Sequence, residues 1–340
     1  MTARAKKYAS STDVARLAGV SQSAVSRTYK PGAKISEEMR QKVLAAAAQL
    51  DYRPSLIPRI MLTHKSNLVA IVIGGMYNPF YSAVLERFTV GLQEAGNQVL
   101  LVHVDSGHSL DAVIPKLASY RVDAIVSALS ILSKQSADEL ARFKIPVVSF
   151  NTPVRNEWVS SVCCDNVGAA RSLVELYLAR GGRRFGFISG PPASPASAER
   201  LAGFRLGLAA HGIDNLAMAV ADFRYEGGHA AALSMFAGPD RPDALFCAND
   251  LMAIGAIDAL RRTYGLRVPE DVLVAGFDDI PSAAWGAYEL TTFVQDGQRM
   301  VDEALAILRV AAASHGPVGE VAIEVPARLI ERQTTRRQPI

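Results

Sequence analysis

From Ser66 onward the chain repeats one pattern. Short β-branched runs alternate with helical stretches rich in Ala, Leu and Arg. The runs are LVAIVIGG (68–75), QVLLVHVD (98–105), VDAIVSAL (122–129), IPVVSFN (145–151), RRFGFISG (183–190), DALFCAND (243–250) and DVLVAGFDD (271–279). Strands that alternate with helices build parallel sheets in doubly wound α/β units. Such sheets bind ligands at the carboxyl ends of their strands. The polar residues that follow each run are therefore the candidate site. Tyr77, Asn78, Phe80 and Tyr81 follow the first run and Asn151 the fourth. Asp165 and Asn166 follow a short VCC strand. Ser194 and Arg200 flank the loop after FGFISG, and Phe223 ends AVADF. Asn249 and Asp250 follow ALFCA, and Asp278 and Asp279 follow VLVAGF. Carboxylates, amides, aromatic faces and one arginine suit a small polyhydroxylated or carboxylated ligand.

The first 65 residues differ in charge. They hold twelve Lys and Arg against four acids, a balance of +8. The other 275 residues hold 24 basic and 29 acidic side chains, a balance of −5. A basic head on a slightly acidic body points to a polyanionic partner. No apolar run is long enough to span a membrane. The basic N-terminus lacks the apolar segment of a secretory signal. Three cysteines, two of them adjacent, make no disulfide framework, so a cytoplasmic protein is expected. No CxxC or HxxxH spacing calls for a metal, and no cofactor is expected.

Within the head, Val14, Leu17 and Ala18 recur at helical spacing. A short helix is predicted over about 12–18, capped by Ser11 or Thr12 and stopped at Gly19. Ser21 then caps a second helix that turns Ala24 and Val25 inward. A third opens at Ser36, with Met39, Val43, Ala46 and Leu50 on one side. Two short helices around a Gly-Val-Ser turn read as a helix-turn-helix. The second helix would enter the major groove, where Gln suits adenine, Arg suits guanine and Ser suits either a base edge or phosphate. Its outward positions are Gln22, Ser23 and Arg27. Ser26 and the helix N-termini, with Thr12 on the first, would hold phosphates.

TDVARLAGVSQSAVSR followed by ISEEMRQKVLAAAAQLDYRP resembles the DNA-binding head of the LacI/GalR family of bacterial repressors. NPF, DN followed by GAA, ERLAGFR, FCANDLMAIGAIDAL, RVPEDV and AGFDDIP resemble signatures of that family's effector domain. The likeness runs to about residue 335. It implies that Gln22, Ser23 and Arg27 read an operator, and that the segment after YRP is a hinge helix folding on DNA. In that segment Ser55 replaces the usual Asn as cap, Pro58 stands where Ala is usual, and Met61 occupies the position of the leucine wedge that kinks the minor groove. Capped by Ser55, a short hinge helix tolerates Pro58, whose position has no intrahelical acceptor. Arg59 and Lys30 complete the expected DNA contacts, Lys30 standing where the family usually has Asn. The resemblance also implies a body like periplasmic sugar-binding proteins, two subdomains around a cleft. The family's effector contacts then fall on Asn78, Phe80, Asn151, Ser194, Arg200, Phe223, Asn249 and Asp278. Met76, where a polar residue is frequent, and Cys163-Cys164 before Asp-Asn depart from the pattern.

The expected organisation is a head over 1–53, a hinge over 54–65, an effector domain over 66–335 and a tail over 336–340. The effector domain would divide into about 66–161 with 293–322 and about 162–292 with 323–335, crossing near 161–164, 290–294 and 322–326. A dimer is implied by the family and by operator symmetry. The tail has no heptads to form a tetramer helix. An enzyme is the competing class, with Asp278-Asp279 as a carboxylate pair. Against it, the chain has no GxSxG, P-loop or dinucleotide fingerprint. A plain periplasmic binding protein would fit the body but not the basic head.

Overall fold

The computed structural model describes residues 8–30, 32–54, 65–74, 76–104, 113–128, 134–314, 316–317 and 319–337. The expected hinge contacts Ser55, Arg59 and Met61, with Pro58, lie outside these residues. The chain forms two compact units, Met1–Ser66 and Asn67–Ile340.

Among the described residues the first unit holds three helices, α1 (Ser11–Ala18), α2 (Gln22–Thr28) and α3 (Glu37–Gln49). Ser10, not Ser11 or Thr12, caps α1. Its hydroxyl oxygen accepts from the Asp13 N–H, and the Asp13 carboxylate accepts from the Ser10 N–H at 2.9 Å. This reciprocal box satisfies two donors that a helix start leaves bare. Replacing Ser10 with alanine should cost about 1 kcal/mol. Amide exchange in α1 should then quicken about fivefold. Gly19 ends the helix at φ +65, a conformation glycine adopts without strain. Ser21 and Ser36 cap α2 and α3.

The core of this unit is Val14, Ala15, Val25, Val43, Ala46 and Ala47. Leu17, expected inside, is 50% exposed, and Met39 is 37% exposed. Ala15 and Leu17 flank the Val14–Ala18 seam on opposite sides. The other helices pack on the alanine side, where a small residue lets backbones approach.

The second unit begins with β1 (Leu68–Ile73), α4 (Pro79–Glu94), β2 (Gln98–His103), α5 (Ile114–Ser119), β3 (Ala124–Ala128), α6 (Lys134–Arg142), β4 (Val147–Phe150) and β5 (Val159–Cys164). Next come α7 (Asn166–Ala179), β6 (Phe185–Ser189), α8 (Pro195–Ala209), β7 (Leu216–Val220), α9 (Tyr225–Met235), β8 (Ala244–Cys247), α10 (Asp250–Thr263) and β9 (Leu273–Ala275). The chain closes with β10 (Thr292–Gln295), α11 (Gly297–Ser314), β11 (Ala322–Val325) and β12 (Ala327–Ile330). One parallel sheet has the order β11-β5-β4-β3-β1-β2, and a second has the order β7-β6-β8-β9. Their central strands are buried almost throughout, as double-sided helix cover requires.

β10 and β12 pair antiparallel and carry the chain between the two sheets. β5 runs to Cys164 and β11 to Val325 inside the six-stranded sheet. These two strands therefore end at Cys164 and Val325, where crossings were expected near 161–164 and 322–326. Close helix packing rests on α8: a Cβ at Gly203 would sit 2.2 Å from the Val167 carbonyl oxygen. Among the described residues no helix is long and apolar enough to cross a membrane, and no group of three or more His, Cys, Asp or Glu could hold a metal.

Candidate functional site

Because the strands are parallel, their following loops gather at one end of each sheet. Between the two lobes these loops enclose a cavity of about 40 Å³. All eight residues on which the family's effector contacts were expected line it, namely Asn78, Phe80, Asn151, Ser194, Arg200, Phe223, Asn249 and Asp278, whereas the strand-end candidates Asp165, Asn166, Asp250 and Asp279 do not.

Several are fixed by the helix that follows them. Asn78 caps α4, its Oδ1 accepting from the Phe80 N–H at 3.0 Å, which frees Nδ2 for the cavity. Ser194 caps α8. Asn249 caps α10 and donates from Nδ2 to the Phe223 carbonyl at 3.0 Å. Phe223 lies flat over Gly190, where any Cβ would fall 2.2 Å from its ring. The loop that leaves β6 must therefore begin without a side chain.

The polar groups form one network across the lobes. Asp278 is buried and accepts from Asn78 Nδ2 at 2.8 Å and from Gln295 Nε2 at 2.7 Å. Gln295 in turn accepts from Asn151 Nδ2 at 3.2 Å. Arg200, 4% exposed, donates from Nε to Asn166 Oδ1 at 2.8 Å and from Nη1 to the Ala248 carbonyl at 2.6 Å. Its guanidinium lies 3.6 Å above the Phe277 ring, and Nη2 stands 3.8 Å from Asp278. Burial raises the Asp278 carboxyl, while Arg200, Asn78 and Gln295 pull it back down. Arg200 was expected to hold an anion or sugar oxygens, and its charge is already matched by Asp278.

Strain collects here. Asn151 (φ +61), Phe223 (φ +66), Asp278 (φ +120) and Asp279 (φ +53) all adopt left-handed backbone. Non-glycine residues hold such conformations only where the surroundings force them, commonly at binding sites.

Five more residues line the cavity: Tyr77 and Tyr81, already noted after the first run, and Gly74, Ala196 and Gln295, which the sequence did not single out. Tyr81 sits edge-on to Phe80 at 5.3 Å, and burial pushes its phenol up to about 12. Tyr77 reaches across the mouth to the other lobe, its hydroxyl 3.4 Å from the Asp222 carbonyl and its ring 4.1 Å below the Arg224 guanidinium. Gln295 ends β10 and Ala196 lies in the first turn of α8. The strand TFVQ pairs antiparallel, so Gln295 falls outside the parallel strand-end rule. Cys163, Cys164 and Cys247 are free and buried, and burial pushes the Cys163 and Cys164 thiols up to about 12. They are inert packing groups.

In the first unit Thr12, Gln22, Ser23, Ser26, Arg27 and Lys30 are all exposed. Gln22 Nε2 donates to Ser11 Oγ at 2.9 Å, and Arg27 Nε donates to the Ser23 carbonyl at 3.3 Å. The Ser21 and Ser23 hydroxyls lie 2.9 Å apart. The face of α2 thus presents amide, hydroxyl and guanidinium groups to solvent, on a helix whose other side is core.

Residues 12–55 match the family model of bacterial regulatory proteins, lacI family, and residues 174–335 match a periplasmic binding protein-like domain. The chain is 32% identical over 320 residues to the HTH-type transcriptional regulator CelR of Thermobifida fusca, covering 90% of this chain and 93% of that one. It superposes on the lac repressor dimer bound to operator and the anti-inducer ONPF with a TM-score of 0.83 at 25% identity, over 97% of this chain and 99% of that one. A transcriptional regulator CelR–cellobiose complex gives a TM-score of 0.69 at 30% identity, over 96% and 99%.

Proposed function

The chain belongs to the lacI family of bacterial regulatory proteins, and from that premise we propose a homodimeric repressor that binds a palindromic operator and is switched by a sugar-like effector in the cavity of its second unit. It is a DNA-binding transcriptional regulator rather than an enzyme. Residues 1–53 serve as the DNA-binding head, 54–65 as the hinge and 66–335 as the effector domain. The protein works in the cytoplasm on nucleoid DNA. The dimer is supported by the operator-bound lac repressor dimer, on which 97% of this chain superposes.

On each half-site α2 lies in the major groove. Gln22, Ser23 and Arg27 read bases, while Thr12, Ser26 and Lys30 hold phosphates. Paired hinges meet in the central minor groove through Ser55, Arg59 and Met61.

One observation carries the effector reading: eight residues scattered over 200 positions of sequence line one cavity between two lobes. The charged residues lining it, Arg200 and Asp278, offset each other. That balance favours a neutral polyhydroxylated ligand over a sugar acid, since among the described lining residues no cation is left uncompensated for a carboxylate. The relative captured with cellobiose supports the same chemistry. The cavity as it stands has room for only about three waters. A sugar therefore needs the cavity to widen, and the Asn78–Asp278 and Asn151–Gln295 bonds are the contacts that would give way. Its hydroxyls then replace those bonds, and the spacing of the lobes shifts. An effector that binds one lobe arrangement better than the other shifts the population between operator-competent and released dimers.

Selection of genomic fragments by the purified protein, at a stated salt concentration, tests this reading. A palindrome with a central pyrimidine–purine step is the expected product, and its neighbouring genes shortlist sugars for titration. No enrichment, with or without cell extract, would overturn the reading. Arg27→Ala should lower affinity for the selected site by about 1–3 kcal/mol, with base preference lost at one symmetric position. An unchanged preference in that variant would remove Arg27 from the readout.

A further inference from the structure

We propose that Ser11, at the start of α1, is a positioning residue for base readout: it holds the Gln22 side chain so that the free edge of its amide matches an adenine. The inference rests on the operator-binding reading above and adds a specificity residue that lies outside the recognition helix.

Ser10 caps α1, so the Ser11 hydroxyl is not needed by its own helix. It lies in the first turn, where it accepts from Gln22 Nε2 at 2.9 Å. The contact joins α1 to α2 across eleven positions of sequence, and Gln22 is otherwise exposed. A glutamine side chain has three rotatable bonds and would sample many rotamers at a surface. Anchored at Nε2, it keeps one direction. A primary amide has two N–H donors and one carbonyl acceptor. Ser11 takes one donor. The remaining N–H and Oε1 form a donor–acceptor pair, which is the complement of adenine N7 and N6–H₂ in the major groove. Guanine presents two acceptors at the same edge and leaves Oε1 unmatched.

The rest of the face is held in the same way. Ser23 is tied through its hydroxyl to Ser21, and its carbonyl accepts from Arg27 Nε. Gln22 therefore arrives at DNA with its geometry set, and docking orders one side chain fewer.

The test is parallel selection from a randomised DNA library with full-length wild type and the variants Ser11→Ala, Ser11→Thr, Gln22→Ala and Ser11→Ala/Gln22→Ala. Wild type should enrich A·T at one symmetric pair of positions. Ser11→Ala should weaken that preference about fivefold or more, the lower end of what a bidentate base contact contributes. Its melting temperature and its affinity for unrelated DNA at the same salt should not change. Ser11→Thr, which keeps the hydroxyl, should restore the preference. The double variant should match Gln22→Ala alone, because Ser11 acts through Gln22. A wild-type motif reproduced unchanged by Ser11→Ala overturns this inference and leaves the operator reading standing. A wild type that enriches no motif overturns both.

Discussion

Replacing Arg200 with alanine should abolish the response to effector and destabilise the second unit by about 3–5 kcal/mol, the range for removing one member of a buried charged pair. The guanidinium is 4% exposed and joins four groups: Asn166 Oδ1, the Ala248 carbonyl, the Phe277 ring and Asp278. Its loss strands two buried acceptors, each of which costs desolvation free energy when left unpaired. It also removes the one cation near Asp278 among the described lining residues. The Asp278 carboxyl, already raised by burial, should rise further and bind a proton. Urea melts should show the loss of stability. Operator binding by the folded fraction should persist, since Gln22, Ser23 and Arg27 belong to a separate unit. Arg200→Lys should keep part of the stability through its charge but lose the effector response, because an ammonium cannot reproduce the fork and the flat contact with Phe277. A normal dose response in either variant would remove Arg200 from the switch.

What was legible in sequence followed from rules that act locally or by topology. Parallel strands send their loops to one end of the sheet. Polar residues after seven separate runs could therefore be assigned to one site before any contact was known, and Asn78, Asn151, Asn249 and Asp278 now line one cavity. Gln295 escaped because it ends an antiparallel crossover strand, which the parallel rule does not cover. The state of Arg200 was equally hidden. Its partners Asn166 and Ala248 lie 34 and 48 positions away, so nothing near ERLAGFR reveals that the guanidinium is already engaged. In the head, periodicity located all three helices. It could not choose between Ala15 and Leu17 as the second inward residue, because both lie beside the Val14 seam and only the neighbouring helices decide. Ser10 was overlooked as cap in a run of three consecutive hydroxyl residues. The capping box with Asp13 was the available signal, since the serine three positions before an acid is the one that closes it.

The stability of the second unit should fall as pH rises from 6 to 9, and Asp250→Asn should remove much of that fall. Asp250 is completely buried at the start of α10. Burial first, and then the Asp278 charge, push its carboxyl up to about 8 from the ordinary 3.8. The folded chain keeps this proton at pH values where the unfolded chain has released it. The stabilisation is complete below about pH 4 and is lost as pH climbs through about 8. Across that window the loss approaches about 1.4 kcal/mol per pH unit. Asp278 and Glu199 are shifted in the same direction, chiefly by burial. The contacts of Asp250 suit a neutral group. Oδ2 accepts from the Ile280 N–H at 2.9 Å, while Oδ1 faces the Thr292 hydroxyl at 2.5 Å, and that hydroxyl can donate or accept. An asparagine keeps both, its carbonyl on Ile280 and its amide donating to Thr292. Asp250→Asn should therefore melt like wild type near pH 6 and exceed it by about 1–3 kcal/mol near pH 8–9. Asp250→Ala should be weaker at every pH, since it leaves the Ile280 N–H unpaired and opens a void against Gly276, which packs directly on this carboxylate. Urea titrations at four pH values decide it: parallel curves for wild type and Asp250→Asn would mean that the carboxyl is ionised throughout, and that Thr292 and Ile280 hold a charge.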